Sequence, residues 1–194
     1  MLLSSDRCDP AKTIVLTPPL GNREVLLRFL AERNRIMDHY HPGPSTARDD
    51  LIRHRRNAWG IGLAPETREG IVRLTEHLLH GGTVTFCPDQ QPRLRGGHFI
   101  PFFGEPALTA RSLARLVQTT GAAVCLGIAW RDPAGGGFHV QFRPIPLDRT
   151  ADDSTLLTAV NQALETAIAE APSQYRWSDK RFNIRPAGER KLYS

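Results

Sequence analysis

Cysteine, aromatic side chains and long apolar runs are all scarce in this sequence, and each scarcity excludes a class of protein. The three cysteines, Cys8, Cys87 and Cys125, are too few and too scattered for a disulfide framework. Cys87 and Cys125 lie in β-like apolar runs, where a thiol behaves as a small buried hydrophobe, so a reducing compartment is expected. Aromatics amount to 7% of the chain. That is little from which to build a stacking platform for single strands, and nucleic acid is not an expected partner. The longest apolar stretch, Ala122–Trp130, falls far short of the ~20 residues of a membrane span. Residues 1–10 lack the apolar core of a signal peptide, so any membrane contact is expected to be peripheral. There is no nucleophile elbow, no P-loop and no dinucleotide fingerprint.

What is present reads as one globular α/β domain over residues 1–194. Apolar residues make up 40% and charged residues 23%, and the net charge of +5 favours an anionic partner. β-like and α-like segments alternate, which predicts a mixed, mostly parallel sheet flanked by helices. Thr13–Thr17, Thr83–Cys87 and Ala122–Trp130 are expected as strands of that sheet, with Arg35–Tyr40 as a weaker one. Asn22 caps a helix running to about Arg33, Ser45 or Thr46 opens a second, and Glu66–His80 forms a third. Pro88–Pro106 reads as one long Gly- and Pro-rich loop, with Thr109 capping a helix to Thr120. A hairpin joins Ala122–Trp130 to Phe138–Leu147, and Asp152 or Asp153 caps the last helix.

Several residues carry candidate chemistry. Asp38-His39-Tyr40-His41 places two imidazoles on one strand face, but no second cluster supplies further ligands and no metal is expected. Arg53-His54-Arg55-Arg56 is either a solvated helix face or, with Arg93, Arg95 and the tail residues Arg176, Lys180, Arg181 and Arg185, a phosphate clamp. Asp89 and Gln90 follow a buried strand at its carboxyl end, where open α/β sheets bind ligands. They either orient a substrate or a loop, or Asp89 caps its own turn. His98–Gly104 bunches large apolar residues, Phe102 among them, that either pack as core or line an acyl groove or a lipid surface.

Three blocks carry a family resemblance: TVTFCPDQQ, then GGHFIPFFGEPALTARSLARLVQTTGA, then QYRWSDKRFNIRP. Their order and spacing, from about Thr13 to Pro186, resemble the bacterial lipid A biosynthesis acyltransferases, within the lysophospholipid-acyltransferase-like group. The resemblance implies transfer of a fatty acyl group from acyl carrier protein to a hydroxyl of a phosphorylated glycolipid. It places the reaction at the cytoplasmic face of the inner membrane and calls for no cofactor. The family's general base is a histidine in a His-Leu-Gly-Asn-Trp-Glu segment, oriented by the acid five residues on. Here that segment reads Pro19-Leu20-Gly21-Asn22-Arg23-Glu24. Glu24 matches the acid, Gly21 and Asn22 match the turn, Pro19 replaces the base and Arg23 the tryptophan. Asp179 stands where the family more often has histidine, and the family's longer N-terminal part, often with an anchoring helix, has no counterpart in these residues. Candidate catalytic residues are therefore Glu24 and Asp89. Gly21, Asn22, Arg56, Gln90, Arg93 and Phe102 are candidates for substrate binding. Three readings follow: an acyltransferase using another base, such as Glu24 itself or His98; a non-catalytic relative that binds carrier, acyl chain or glycolipid; and an unrelated basic binding module.

Overall fold

The computed structural model describes residues 3–5, 11–43 and 45–193; Cys8 lies outside them. In chain order the elements are β1 (Leu3–Ser5), β2 (Thr13–Leu16), α1 (Arg23–Ala31), β3 (Ile36–Tyr40), α2 (Thr46–Ala58), β4 (Gly62–Pro65), α3 (Arg68–Leu79) and β5 (Thr83–Phe86). They continue with β6 (Gly97–Phe102), β7 (Glu105–Ala110), α4 (Arg111–Thr120), β8 (Ala123–Arg131), β9 (Phe138–Pro144) and α5 (Asp153–Glu170). Seven strands form one sheet in the order β1-β9-β8-β2-β5-β3-β4. The pairs from β8 through β4 are parallel, and β8 and β9 are antiparallel, as a hairpin requires. Among the described residues no helix is long and apolar enough to cross a membrane.

The pleat explains why the strands read as continuous apolar runs. In β2, Ile14 and Leu16 point to one face and Val15 to the other, and both faces are covered. Val124, Leu126 and Ile128 of β8 join the first face, under Leu74 and Leu78 of α3, Leu113 and Leu116 of α4, and Leu157, Val160 and Leu164 of α5. Cys125 and Ala129 join the second face, under Leu26, Leu27, Phe29 and Leu30 of α1. The caps follow local chemistry: the Asn22 side chain accepts from the Val25 amide, and that of Asp152 from the Thr155 amide.

Two expectations are corrected. Residues 88–106 are not one loop, because β6 and β7 form an antiparallel hairpin with Ile100, Phe102, Leu108 and Ala110 buried. Pro101 and Pro106 face each other where the carbonyls point outward, to the Asn161 amide and to Arg185, so the missing amide protons cost no ladder bond. Thr109 does not cap α4. It belongs to β7, and its hydroxyl accepts from Arg181 Nη2 at 2.8 Å, while α4 starts two residues later without a side-chain cap. Strands β1 and β4 were not expected; Gly62-Leu-Ala-Pro65 is short and has little β propensity.

His39 marks the α3 face of β3. Its ring stacks on Phe86 with centroids 4.4 Å apart and planes 5° from parallel. Among the described residues, neither ring nitrogen has a hydrogen-bond partner. Burial holds the imidazole below its ordinary pKa, with Glu66 and Asp38 pulling the other way. A depressed basic group contributes stability that is full above the unfolded value of 6.5 and is lost as pH falls through the folded value. His39→Phe should therefore gain melting temperature over the wild type at pH 5 more than at pH 8, as measured by calorimetry. An equal change at both pH values would show that His39 does not titrate with unfolding.

Candidate active site

The segment after β2 is held on both sides by backbone. The Thr17 amide donates to Phe86 O at 2.8 Å, keeping the chain in line with β5. The Gly21 amide donates to Gln174 O at 3.0 Å, the Arg176 amide to Pro19 O at 2.9 Å, and the Asn22 amide to Ala129 O at 2.9 Å. Gly21 is needed for this approach: its φ is +67°, and a Cβ there would lie 2.2 Å from Ala129 O. Pro19 and Glu24 thus sit at the carboxyl edge of β2, between the end of β8 and the C-terminal tail.

From the first turn of α1, Arg23 reaches inward. Its Nε donates to Thr17 Oγ1 at 2.9 Å and its Nη2 to Asp38 Oδ1 at 2.5 Å. Asp38, in β3, is 0% exposed. It also accepts from Thr85 Oγ1 at 2.6 Å and from Arg56 Nη1 at 2.8 Å. Arg56, from α2, turns its other nitrogens to Glu24, with Nε to Oε2 at 3.3 Å and Nη2 to Oε1. Two guanidiniums and two carboxylates close a network of zero net charge. Asp38 is its enclosed hub, and Glu24, 44% exposed at its side chain, is its most exposed member.

A second buried carboxylate lies after β5. Asp89 Oδ1 pairs with Arg181 Nε at 3.0 Å, and Oδ2 accepts from the Tyr175 hydroxyl. Burial pushes the Asp89 carboxyl up, against the pull of Arg181 and Tyr175, and pushes the Tyr175 hydroxyl well above its ordinary range. Arg181 also donates to Leu108 O at 2.6 Å, and its carbonyl accepts from Gln91 Nε2 at 2.5 Å. Asp89 is thus bound into the joint between the tail and the β6–β7 hairpin.

The structure brings Glu24, Arg56, Gly21 and Asn22 together beside Pro19. Asp89 connects to that group through Tyr175, whose neighbour Arg176 holds Pro19 O. Arg93 is exposed and Gln90 half-buried. Phe102 is buried in the core, whereas Phe103 is 43% exposed at the hairpin turn. The tail cations are largely committed: Arg181 to Asp89, Arg185 to Glu105 and Glu189, Arg176 to Asp179. Among the described residues Glu24 bonds Arg56 and no histidine; His98 lies 3.5 Å from Asp153, and His41 pairs with Glu66. Asp38, Thr85 and Tyr175 escaped the sequence reading. For Asp38 the signal was a lone acid in an apolar strand, which demands a partner when buried.

A family model described as bacterial lipid A biosynthesis acyltransferase matches residues 5–183. Three Escherichia coli (strain K12) proteins are similar. The lipid A biosynthesis palmitoleoyltransferase is 32% identical over 117 residues, 60% of this chain and 38% of that protein. The lauroyltransferase is 30% identical over 128 residues, 65% of this chain and 42% of that protein. The myristoyltransferase is 28% identical over 195 residues, 99% of this chain and 60% of that protein. The aligned part therefore spans between 38% and 60% of these relatives' own lengths.

Removing the hub should be costly. Asp38→Ala leaves Arg23 and Arg56 without their buried counter-charge, and a loss of about 3–5 kcal/mol is expected in urea unfolding. Glu24→Ala, at the exposed end of the network, should cost well under half as much. Similar losses from the two substitutions would show that Asp38 is not the hub.

Proposed function

The chain belongs to the bacterial lipid A biosynthesis acyltransferase family, and from that premise we propose that it binds an acyl carrier protein thioester and a phosphorylated glycolipid at the cytoplasmic face of the inner membrane, with its own transfer step slowed by the loss of the base. The observation that carries the second half is the pairing of Pro19 with an occupied Glu24. In acyl transfer to a hydroxyl, the oxygen attacks the thioester carbonyl as its proton leaves, so a base must stand at that oxygen. A proline side chain accepts no proton. Both Glu24 oxygens are engaged by Arg56, which directs their lone pairs to the guanidinium.

Neither substitute base fits the arrangement. Glu24 in the orienting position would have to reach the hydroxyl across the space an imidazole would fill. His98 belongs to the β6–β7 hairpin and faces Asp153. The binding half of the proposal draws on the family and on the retained parts of the segment: the Gly21 turn, the Asn22 cap and the Glu24–Arg56 pair.

The test is an acylation assay with carrier thioester and a phosphorylated glycolipid acceptor. The wild type should transfer little, and Pro19→His combined with Arg23→Trp should raise the rate by roughly 10²-fold or more, the usual contribution of a general base. Glu24→Ala in that background should remove the gain. Robust wild-type turnover that depends on Glu24 would overturn the slowed-transfer reading.

A further inference from the structure

Helix α2 is fastened to the domain by its charges and turns an apolar residue outward. Of its residues Thr46–Ala58, only Asp49 and Arg56 are buried. Asp49 accepts from the Tyr40 hydroxyl and from the Gly43 amide at 3.0 Å, and Arg56 runs to Asp38 and Glu24. A surface helix ordinarily does the reverse, burying a stripe of leucines and exposing its charges. Here Leu51 is 55% exposed. Arg48 and Arg55 are exposed too, at three residues before and four after Leu51, so all three lie on one helix face. Among the described residues neither guanidinium has an ion pair or a side-chain hydrogen bond, while Arg23, Arg56, Arg143, Arg176, Arg181 and Arg185 all do.

We propose that the Arg48–Leu51–Arg55 stripe is the docking surface for an acidic protein and, resting on the reading above, that this protein is the acyl carrier that delivers the thioester. Charge complementarity selects the occupant. Two unpaired guanidiniums flanking one apolar side chain match the usual interface plan of an apolar centre with arginines beside it. A lipid surface fits less well, because a helix that lies in headgroups immerses a whole apolar face, and α2 offers one leucine among arginines and Asp50. The stripe runs about 10 Å from Arg48 to Arg55 at 1.5 Å per residue, a length suited to a few carboxylates on one partner element. The placement also serves the site. Arg55 faces out while the next residue, Arg56, holds Glu24, so a partner seated on the stripe lies about one helix diameter, ~10 Å, from the candidate acid.

The experiment titrates the full chain with purified acyl-loaded carrier protein, using fluorescence anisotropy at low and at near-physiological salt. Wild-type affinity should fall with salt, and Arg48→Glu with Arg55→Glu should weaken it by roughly tenfold or more. Leu51→Ser should also weaken it, and Arg73→Glu, an equally exposed charge reversal on α3, should leave it unchanged. Equal affinity of the wild type and the double variant overturns the proposal. So does an equal loss with Arg73→Glu, the absence of carrier binding by the wild type, or a loss confined to binding of phosphatidylglycerol vesicles. The docking and catalytic readings fail separately. If wild-type turnover is robust and depends on Glu24 while Arg48→Glu with Arg55→Glu loses carrier affinity, the surface stands and the slowed-transfer reading falls. If wild-type transfer is slow and Arg48→Glu with Arg55→Glu keeps the wild-type affinity for the carrier, the surface falls and the slowed-transfer reading stands.

Discussion

A carboxylate with no access to water, on a strand one in from the edge of a mostly parallel sheet, is the constraint around which the candidate site is built. Asp38 loses its hydration on folding, and that cost is recovered only when fixed donors surround it in good geometry. Three elements supply them. Thr85 comes from the adjacent strand β5, Arg23 from α1 and Arg56 from α2, while β3 carries the acid itself. Helix α2 has almost no apolar face with which to pack, so its place over the sheet depends on Arg56 and Asp49. The posture of Glu24 follows, because the guanidinium that meets Asp38 is the one that holds it.

A second buried carboxylate does for the tail what Asp38 does for α2. Asp89 holds Tyr175 and Arg181, and Arg181 continues to Leu108 and Thr109 in β7. With Tyr175 fixed, its neighbours Gln174 and Arg176 bond Gly21 and Pro19. The floor beneath the candidate site is therefore made from segments more than 150 residues apart in sequence, all meeting at the carboxyl ends of parallel strands. This is the part of an open α/β sheet where loops are free to converge on a ligand.

How much of this was legible depends on the range of the signal. Helices α1, α3, α4 and α5 and strands β2, β5 and β8 announce themselves by periodicity and apolar runs, which are local. The β6–β7 hairpin did not. Pro101, Pro106 and three glycines read as loop, and only the outward-facing register shows why prolines fit there. Glu24 and Arg56 were both legible as candidates, one from the motif and one from a basic run. Their contact spans 32 positions and was not. Asp38 was visible merely as a neighbour of two histidines, since its partners lie 15, 18 and 47 residues away. The same limit applied to the tail: its arginines read as one basic group, whereas two of them are internal anchors.

On the proposed reading, Pro19 and Arg23 belong together. Without Arg23, the cluster of Asp38, Glu24 and Arg56 carries one net negative charge. Such a surplus suits a neighbouring imidazole that takes up a proton in the reaction, because the imidazolium restores neutrality. With Arg23 in place the cluster is already neutral, and the guanidinium lies against Asp38 and Thr17 rather than in solvent. Arg23 thus supplies permanently the positive charge that a catalytic histidine would supply only while protonated. A histidine added at position 19 beside Arg23 would meet a cluster with no negative surplus and would gain little help in holding its proton. A tryptophan at position 23 would return the surplus but remove one of the hub's two guanidiniums, leaving Asp38 with Arg56 and Thr85. The electrostatics that stabilise this network and those that would drive proton transfer to a histidine at position 19 therefore oppose each other at Arg23.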